Sequence, residues 1–481
     1  MAEKIDYKKL GFKCGIEIHQ QLDTHKLFCK CLSIVHDTHP DIKFTRKLRP
    51  VPGETGEIDA AAIHEVLKGK YYAYEACSTS CCLIEMDEEP PHPMNMDALK
   101  IVLEVAKHLN ASIVDEIQVM RKTVIDGSNV SGFQRTALVA QNGYIDTSKG
   151  RVRIPAICLE EEAAKKLEAT DKYTKYRLDR LGIPLIELAT EPDIIDPEHA
   201  KEAAEKLGMI LRSTNKVKRG IGTIRQDVNV SIKKGARTEI KGFQNLKSIP
   251  KVIEKEVERQ LRLIKNGKKI DSGVRKAEPD FSTTFLRPMP GASRMYPETD
   301  VIPVKICKDD IEISELIEVR RERYIKKYHL SSDLATITAG SPFAKEYETA
   351  VKNSKNLKPA FIAENIFVSP IKEIRRKSKI DIPLNANTAN ILIEVTSLID
   401  KGDIQKDSDI INKVIIEKYK GTFDINKHKG LSDDELEKEV RQVVADNKDS
   451  PIGALMGKIM ARHRGKVDGK KVMDLLKKFA K

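Results

Sequence analysis

The chain has 481 residues, more than one hydrophobic core usually organises, and no apolar run approaches the ~20 residues needed to cross a bilayer as a helix. Its formal charge is +12 with a pI near 9.0, and its eight cysteines are too few and too irregular for a disulfide scaffold at this length. These totals exclude a helical membrane protein and a disulfide-built miniature domain, and point to a cytoplasmic protein of about three domains with a polyanionic partner.

The start, MAEKIDYKKL, carries charges where a signal peptide carries its apolar stretch. Next comes CGIEIHQQLDTHKLFCKC, residues 14–31, whose alternation predicts a strand with Ile16 and Ile18 on one side and Glu17 and His19 on the other. Up to residue 306 the texture is short strands and turns with a few helices, as in IGTIRQDVNVSIKKGARTEIKGF, and the fold class is α+β. One helix stands out, IPKVIEKEVERQLRLIKNG, with Ile253, Val257, Leu261 and Ile264 on one stripe and a stop at Asn266-Gly267. KNGKKIDSG, residues 265–273, reads as a flexible connection. From Cys307 the period becomes helical, which defines a second domain over 307–422. A small basic helical domain follows over 423–481, where Ser432 and Glu435 have capping-box spacing. Residues 447–481 hold ten Lys and Arg against three Asp, so this tail is the first candidate for nucleic-acid contact.

An isolated Glu-x-His is commonly a solvated ion pair, and the company of Glu17 and His19 changes that reading. The first domain also contains Glu160, Glu161 and Glu162 in CLEEEAA, Glu187, Glu191 and Asp193 in PLIELATEPD, Asp227 and Asn229 in RQDVNV, and Glu239 in RTEIKG. Glu187 and Glu239 sit inside apolar runs, where a carboxylate needs a proton, a basic residue or a metal. Oxygen donors with one imidazole suit Mg²⁺ or Mn²⁺. Arg121, Lys122, Arg225, Lys241, Arg287 and Arg294 supply cations for phosphate oxygens, and the whole set resembles a phosphoryl-transfer centre. No GxxxxGK[ST] loop is present, and RGIGTIRQ has Arg225 where a dinucleotide fingerprint has its third glycine, so an ATP site here is of another kind. Cys29, Cys31, Cys77 and Cys81, with Cys82 adjacent, offer a zinc set that competes with a reading as free thiols.

The motifs GIEIHQQLDTHKLFCKC, CCLIEMDEEPPHPMN, MRKTVIDGSNVSGFQRT, LIELATEPDI, GIGTIRQDVNVSI, TEIKGFQNL and RPMPGASRMYPETDVIP resemble the GatB/GatE family of glutamyl-tRNA(Gln) amidotransferase subunits, on its archaeal GatE branch. The resemblance runs from about residue 11 to the C-terminus, where SPIGALMGKIMARHRGKVDGKKVMDLL is similar to the family's tRNA-binding tail. It implies a cradle-shaped mixed-sheet catalytic domain over 1–306 that uses ATP to phosphorylate the γ-carboxylate of glutamate on tRNA(Gln), after which ammonia displaces phosphate. By motif position, it implies a metal shell of Glu17, His19, Glu161 and Glu239, with Asp227, Asn229 and Glu187 as further candidates. It also implies a partner, an asparaginase-like ammonia-producing protein, in a heterotetramer.

Two departures from the family pattern stand out. The insertion resembling part of aspartyl-tRNA synthetase, usual on the GatE branch, is replaced by residues 266–285, and Cys158 stands where bacterial GatB often has histidine. Two rival readings are an aminoacyl-tRNA synthetase, for which RRKSKI (375–380) stands without a HIGH motif, and a non-catalytic tRNA-binding accessory protein.

Overall fold

The computed structural model describes residues 5–49, 67, 69–243, 245–289, 295–308, 311–428, 433–447, 450–463, 467 and 469–479. The chain forms two compact units that divide between Glu315 and Leu316. The first is mixed α+β around a large sheet and the second is all helical.

In chain order the strands of the first unit are β1 (Lys13–Gln21), β2 (Ile42–Arg46), β3 (Tyr71–Ala76), β4 (Ser112–Ile113), β5 (Glu116–Ile117), β6 (Val119–Thr123), β7 (Phe133–Thr147), β8 (Gly150–Glu161) and β9 (Lys165–Ala169). They continue with β10 (Tyr173–Arg177), β11 (Pro184–Ala189), β12 (Ile224–Ser231), β13 (Thr238–Lys241), β14 (Gly273–Ala277), β15 (Thr283–Pro288), β16 (Met295–Pro297) and β17 (Val304–Lys305). The large sheet runs β15-β14-β13-β12-β1-β11-β8-β7-β6-β16, with β4 beside β7. A smaller sheet runs β2-β3-β10-β9.

Three helices pack on the large sheet: α1 (Met96–His108), α2 (Pro197–Ser213) and α3 (Ile249–Lys265). Each starts where the sequence provides for it. Asn95 accepts from the N–H groups of Asp97 and Ala98, Asp196 accepts from His199 ahead of Pro197, and Pro250 stands in the first turn of α3. Segment 265–273 carries the chain from α3 into β14, which pairs parallel to β13, so it is the second half of a βαβ crossover. The expected apolar stripe of α3 is partly corrected. Ile253 and Val257 are buried, but Leu261 and Ile264 are half-exposed, and the buried row is completed by Glu256 and Gln260. Gln260 donates to the Ala236 carbonyl, Thr238 and Glu256, while Glu256 accepts from Arg259 and Thr283. A polar group so satisfied can sit in a core, and hydrophobic periodicity does not report it.

The first unit also extends past residue 306. Val304–Lys305 pair with β5, and Ser314 donates from its backbone to Glu104 (3.2 Å) and from its hydroxyl to the Ser213 carbonyl (3.1 Å). In the second unit α4 (Ile317–Tyr328) through α10 close around Tyr324, Tyr347, Ile366, Leu392 and Val414, all fully buried. The intervening helices are α5 (Ser332–Ala339), α6 (Ala344–Asn353), α7 (Pro359–Ile362), α8 (Ser369–Ser378), α9 (Ala386–Lys401) and α10 (Ser408–Tyr419). Between α7 and α8 the helix widens to π geometry over Ala363–Val368, just where Pro370 has no N–H for the Ile366 carbonyl. Helices α11 (Asp433–Ala445), α12 (Ile452–Arg462) and α13 (Gly469–Phe479) enclose a separate cluster of Leu436, Val440, Leu455, Ile459, Val472 and Leu476. Ser432 of the expected capping box lies outside the described residues, as does Arg294. Among the described residues no helix is long and apolar enough to cross a membrane.

Candidate active site

Strand β1 lies at the centre of the large sheet, antiparallel to β11 on one side and β12 on the other. Its alternation is as expected: Ile16 and Ile18 are buried on one face, and Glu17 and His19 are half-buried on the other. Register then decides what these two side chains meet. His19 is opposite Glu187 of β11 and Arg225 of β12, Glu17 is opposite Asp227, and Glu187 is opposite Cys158 of β8. Directly opposed residues share a face, so positions far apart in sequence become one polar row.

That row floors a cavity of about 1050 Å³. Glu17, His19, Glu160 and Asp227 line it together with Lys122, Arg225, Lys241 and Arg287. At its centre His19 Nε2 is 3.4 Å from Glu17 Oε1 and 3.5 Å from Glu187 Oε2. One ligand atom from each of these three residues lies within 4.8 Å of the others, a spacing that a single cation can span. Glu187 Oε2 is buried and has no hydrogen-bond partner. An orphaned carboxylate oxygen beside a second carboxylate and an imidazole is a donor set that fits a hard divalent cation.

The charges around it are strongly coupled. Burial pushes the Glu17 carboxyl above its ordinary value. Burial, with Glu187 alongside, pushes Glu160 up to about 8. Burial opposes charge on Glu187 too, but His19 and Lys122 outweigh it and hold that carboxyl below the usual range. For His19 burial favours the neutral ring, and the facing Glu187 and Glu17 more than compensate, raising its pKa. Glu160 is held by Thr136 Oγ1 at 2.6 Å and Gln134 Nε2 at 3.1 Å. Lys241 bonds Asp227 and lies 2.5 Å from Glu239, which is buried beside it rather than in the cavity wall. Arg225 reaches Glu162 at 2.8 Å.

Two expected members lie elsewhere. Glu161 is one residue out of phase with Glu160, so it points to the opposite face, where it is buried against Arg135 at 3.4 Å. Arg121 is out of phase with Lys122 in the same way. It pairs with Glu298 at 2.5 Å and Asp300 at 3.3 Å, and its guanidinium stacks 4.5 Å from the Phe133 ring. Asn229 is tied to Arg237 at 3.0 Å. Residues that the sequence pattern did not single out complete the rim: Arg212, Lys218 and the turn Gly220-Ile221-Gly222. The signal for them was RGIG, which reads only as a broken fingerprint. Gln20, buried in β1, ties the base of that turn by donating to the carbonyls of Lys218 (3.0 Å) and Thr223 (3.1 Å).

The expected zinc quartet does not assemble as written. Cys29, Cys31 and Cys82 converge with Glu85, their ligand atoms within 4.8 Å of one another. Cys77 instead accepts from Arg177 at 3.0 Å, and Cys81 faces the buried Lys26 at 3.7 Å. Of the consecutive Cys81 and Cys82 only the second joins Cys29, and the first lies across the Lys26 ammonium from Glu85. Glu85 accepts from the Cys29 thiol (3.0 Å) and the Cys82 N–H (2.7 Å), with Lys26 at 3.5 Å. The neighbouring Cys29 brings Cys82 down to about 7, and the proximity of Cys82 together with burial raises Cys29. Three thiols with a carboxylate are a set suited to a tetrahedral metal.

Residues 12–312 match the GatB/GatE catalytic domain and residues 345–479 match the GatB domain. The GatE-type subunit of glutamyl-tRNA(Gln) amidotransferase from Methanocaldococcus jannaschii is 37% identical, over 99% of this chain and 100% of the relative. The corresponding subunits of Archaeoglobus fulgidus and Thermococcus gammatolerans are 37% and 35% identical, each over 99% of both chains. The M. jannaschii alignment spans 637 positions against 481 residues here, so that relative carries a long stretch without a counterpart in this chain. The chain belongs to the GatB/GatE family of amidotransferase subunits and carries the family's catalytic domain.

Proposed function

We propose that the cavity on the polar face of the large sheet is where ATP phosphorylates the γ-carboxylate of glutamate esterified to tRNA(Gln), and where ammonia then displaces phosphate to leave Gln-tRNA(Gln). The enzyme is a ligase. The observation that carries the reading is the meeting of Glu17 and His19, with Glu187 directly beside them, and Lys122, Arg225, Lys241 and Arg287 at one cavity. A carboxylate is a poor acyl donor and its mixed anhydride with phosphate is a good one, so the site's task is to let two anions meet. Glu17, His19 and Glu187 hold Mg²⁺ or Mn²⁺, with Glu160, Asp227 and Glu239 behind them, and the ion supplies charge neutralisation between nucleotide and substrate carboxylate. Arg225 and Arg287 orient phosphate oxygens while Lys241 adds positive charge beside them, and the rim turn at Gly220–Gly222 narrows the mouth against water.

The finer organisation follows the same reading. Residues 1–306 are a cradle-shaped catalytic domain, 307–422 a helical domain, and 423–481 a basic tail that grips the tRNA backbone. Cys29, Cys31, Cys82 and Glu85 hold a structural Zn²⁺. Ammonia comes from an asparaginase-like protein in a heterotetramer, and the enzyme works in the cytoplasm. The test is incubation with Glu-tRNA(Gln), ATP, Mg²⁺ and ammonium chloride without any partner. The expected result is Gln-tRNA(Gln) formation that stops when ATP is omitted. Tight tRNA binding with no ATP turnover and no amide product contradicts the reading.

A further inference from the structure

Two lysines flank the Glu17–His19–Glu187 cluster on the same face of the sheet, and each bridges two carboxylates. Lys241 is bonded tightly between Asp227 and Glu239. Lys122 sits between Glu160 and Glu187 at 3.6 and 3.8 Å. Ammonium–carboxylate hydrogen bonds close at about 2.7–2.9 Å, so Lys122 balances charge without completing a bond. The carboxylate oxygen it faces, Glu187 Oε2, is the one left without a hydrogen-bond partner. The Lys122 side chain is 29% exposed and borders the cavity, so its ammonium has room to turn toward a ligand.

We propose that Lys122 is a placeholder cation: it balances Glu160 and Glu187 while no divalent ion is present, and swings to the phosphate oxygens of the nucleotide once the ion takes Glu187. Lys241 remains a fixed strut throughout. Two like charges cannot share the space beside Glu187 cheaply, because their repulsion in a partly desolvated site is several kcal/mol at 4 Å. Arrival of the ion therefore expels the ammonium, and the anion nearest to receive it is the phosphate chain that the ion itself recruits. The device links loading of the ion to capture of the nucleotide: each favours the other. It rests on the cavity being the metal and nucleotide site.

The test is an amine-reactive footprint of the intact wild-type chain read by peptide mass spectrometry, alongside Mn²⁺ titration. Lys122 labelling is expected to rise about fivefold on adding Mg²⁺ alone and to fall again when ADP follows, while Lys241 labelling changes less than twofold when Mg²⁺ alone is added. Lys122→Met is expected to bind Mn²⁺ about tenfold more tightly and to lose most of the gain in ADP affinity that the ion confers. Absence of Mn²⁺ binding to the wild-type chain overturns the reading of the cavity and this exchange with it. Mn²⁺ binding with Lys122 labelling unmoved by Mg²⁺ overturns the exchange alone, since a fixed lysine also repels the ion but does not change its exposure.

Discussion

The two faces of the large sheet carry the same residue types to opposite ends. On the cavity face Glu17 and Glu187 stand 3.4 and 3.5 Å from His19, and one buried carboxylate oxygen is left without a hydrogen-bond partner. On the other face Glu298 is fully buried between Arg121 and Arg135, and Arg135 also takes Glu161, so the charges are closed against one another. Glu160 and Glu161 are neighbours in sequence, as are Arg121 and Lys122, and one step along a strand separates a group open to a ligand from a group locked in a core. Unspent electrostatic capacity, rather than charge itself, distinguishes the reactive face.

The sharpest way to break this comparison is to remove one carboxylate from each face. Glu17→Gln should lower ATP-dependent γ-phosphorylation by about 10³-fold, because preorganised charge dominates phosphoryl transfer. Urea unfolding of the same variant should be close to wild type, and near-normal turnover sinks the assignment. Glu298→Ala should do the reverse. It strands Arg121 and Arg135, and loss of one partner of a buried pair costs about 3–5 kcal/mol of stability. Mn²⁺ affinity of the folded fraction should stay within about threefold.

The cysteine pair sharpens the same lesson at a third place. Cys82→Ser should empty a zinc site that Cys81→Ser leaves loaded, as read by metal content of the purified chain. Equal loss in both variants contradicts the ligand set of Cys29, Cys31, Cys82 and Glu85. The smallest effect expected is on pH. Glu160 stands at about 8, so it holds a proton at neutral pH that a cation displaces, and the raised His19 shifts in the same direction. Mn²⁺ affinity should therefore rise with pH between 6 and 8, by up to about tenfold per unit for each proton released. A flat profile places the ion elsewhere.

Much of this was legible in the chain itself. The alternation in GIEIHQQ put Glu17 beside His19, and the family motifs named the chemistry. What stayed hidden was register. Nothing local to LIELATEPD says that Glu187 lies opposite His19, 168 residues away, or that β8 arrives in the phase that turns Glu160 rather than Glu161 toward it. Hydrophobic pattern was silent on Lys26, fully buried against Glu85, and on Gln260 in the core of α3, because burial of polar groups depends on partners brought by other strands and loops. The first compact unit runs on to Glu315 for a similar reason: Ser314 is held by Glu104 and Ser213, more than a hundred residues upstream.

The central claim is that the cavity face holds a divalent ion among three particular side chains, and anomalous scattering from a crystal grown with Mn²⁺ measures it directly. The account predicts a single strong peak within about 2.3 Å of Glu17, His19 and Glu187. A peak among Glu161, Arg135 and Glu298, or none on the polar face at saturating Mn²⁺, contradicts it.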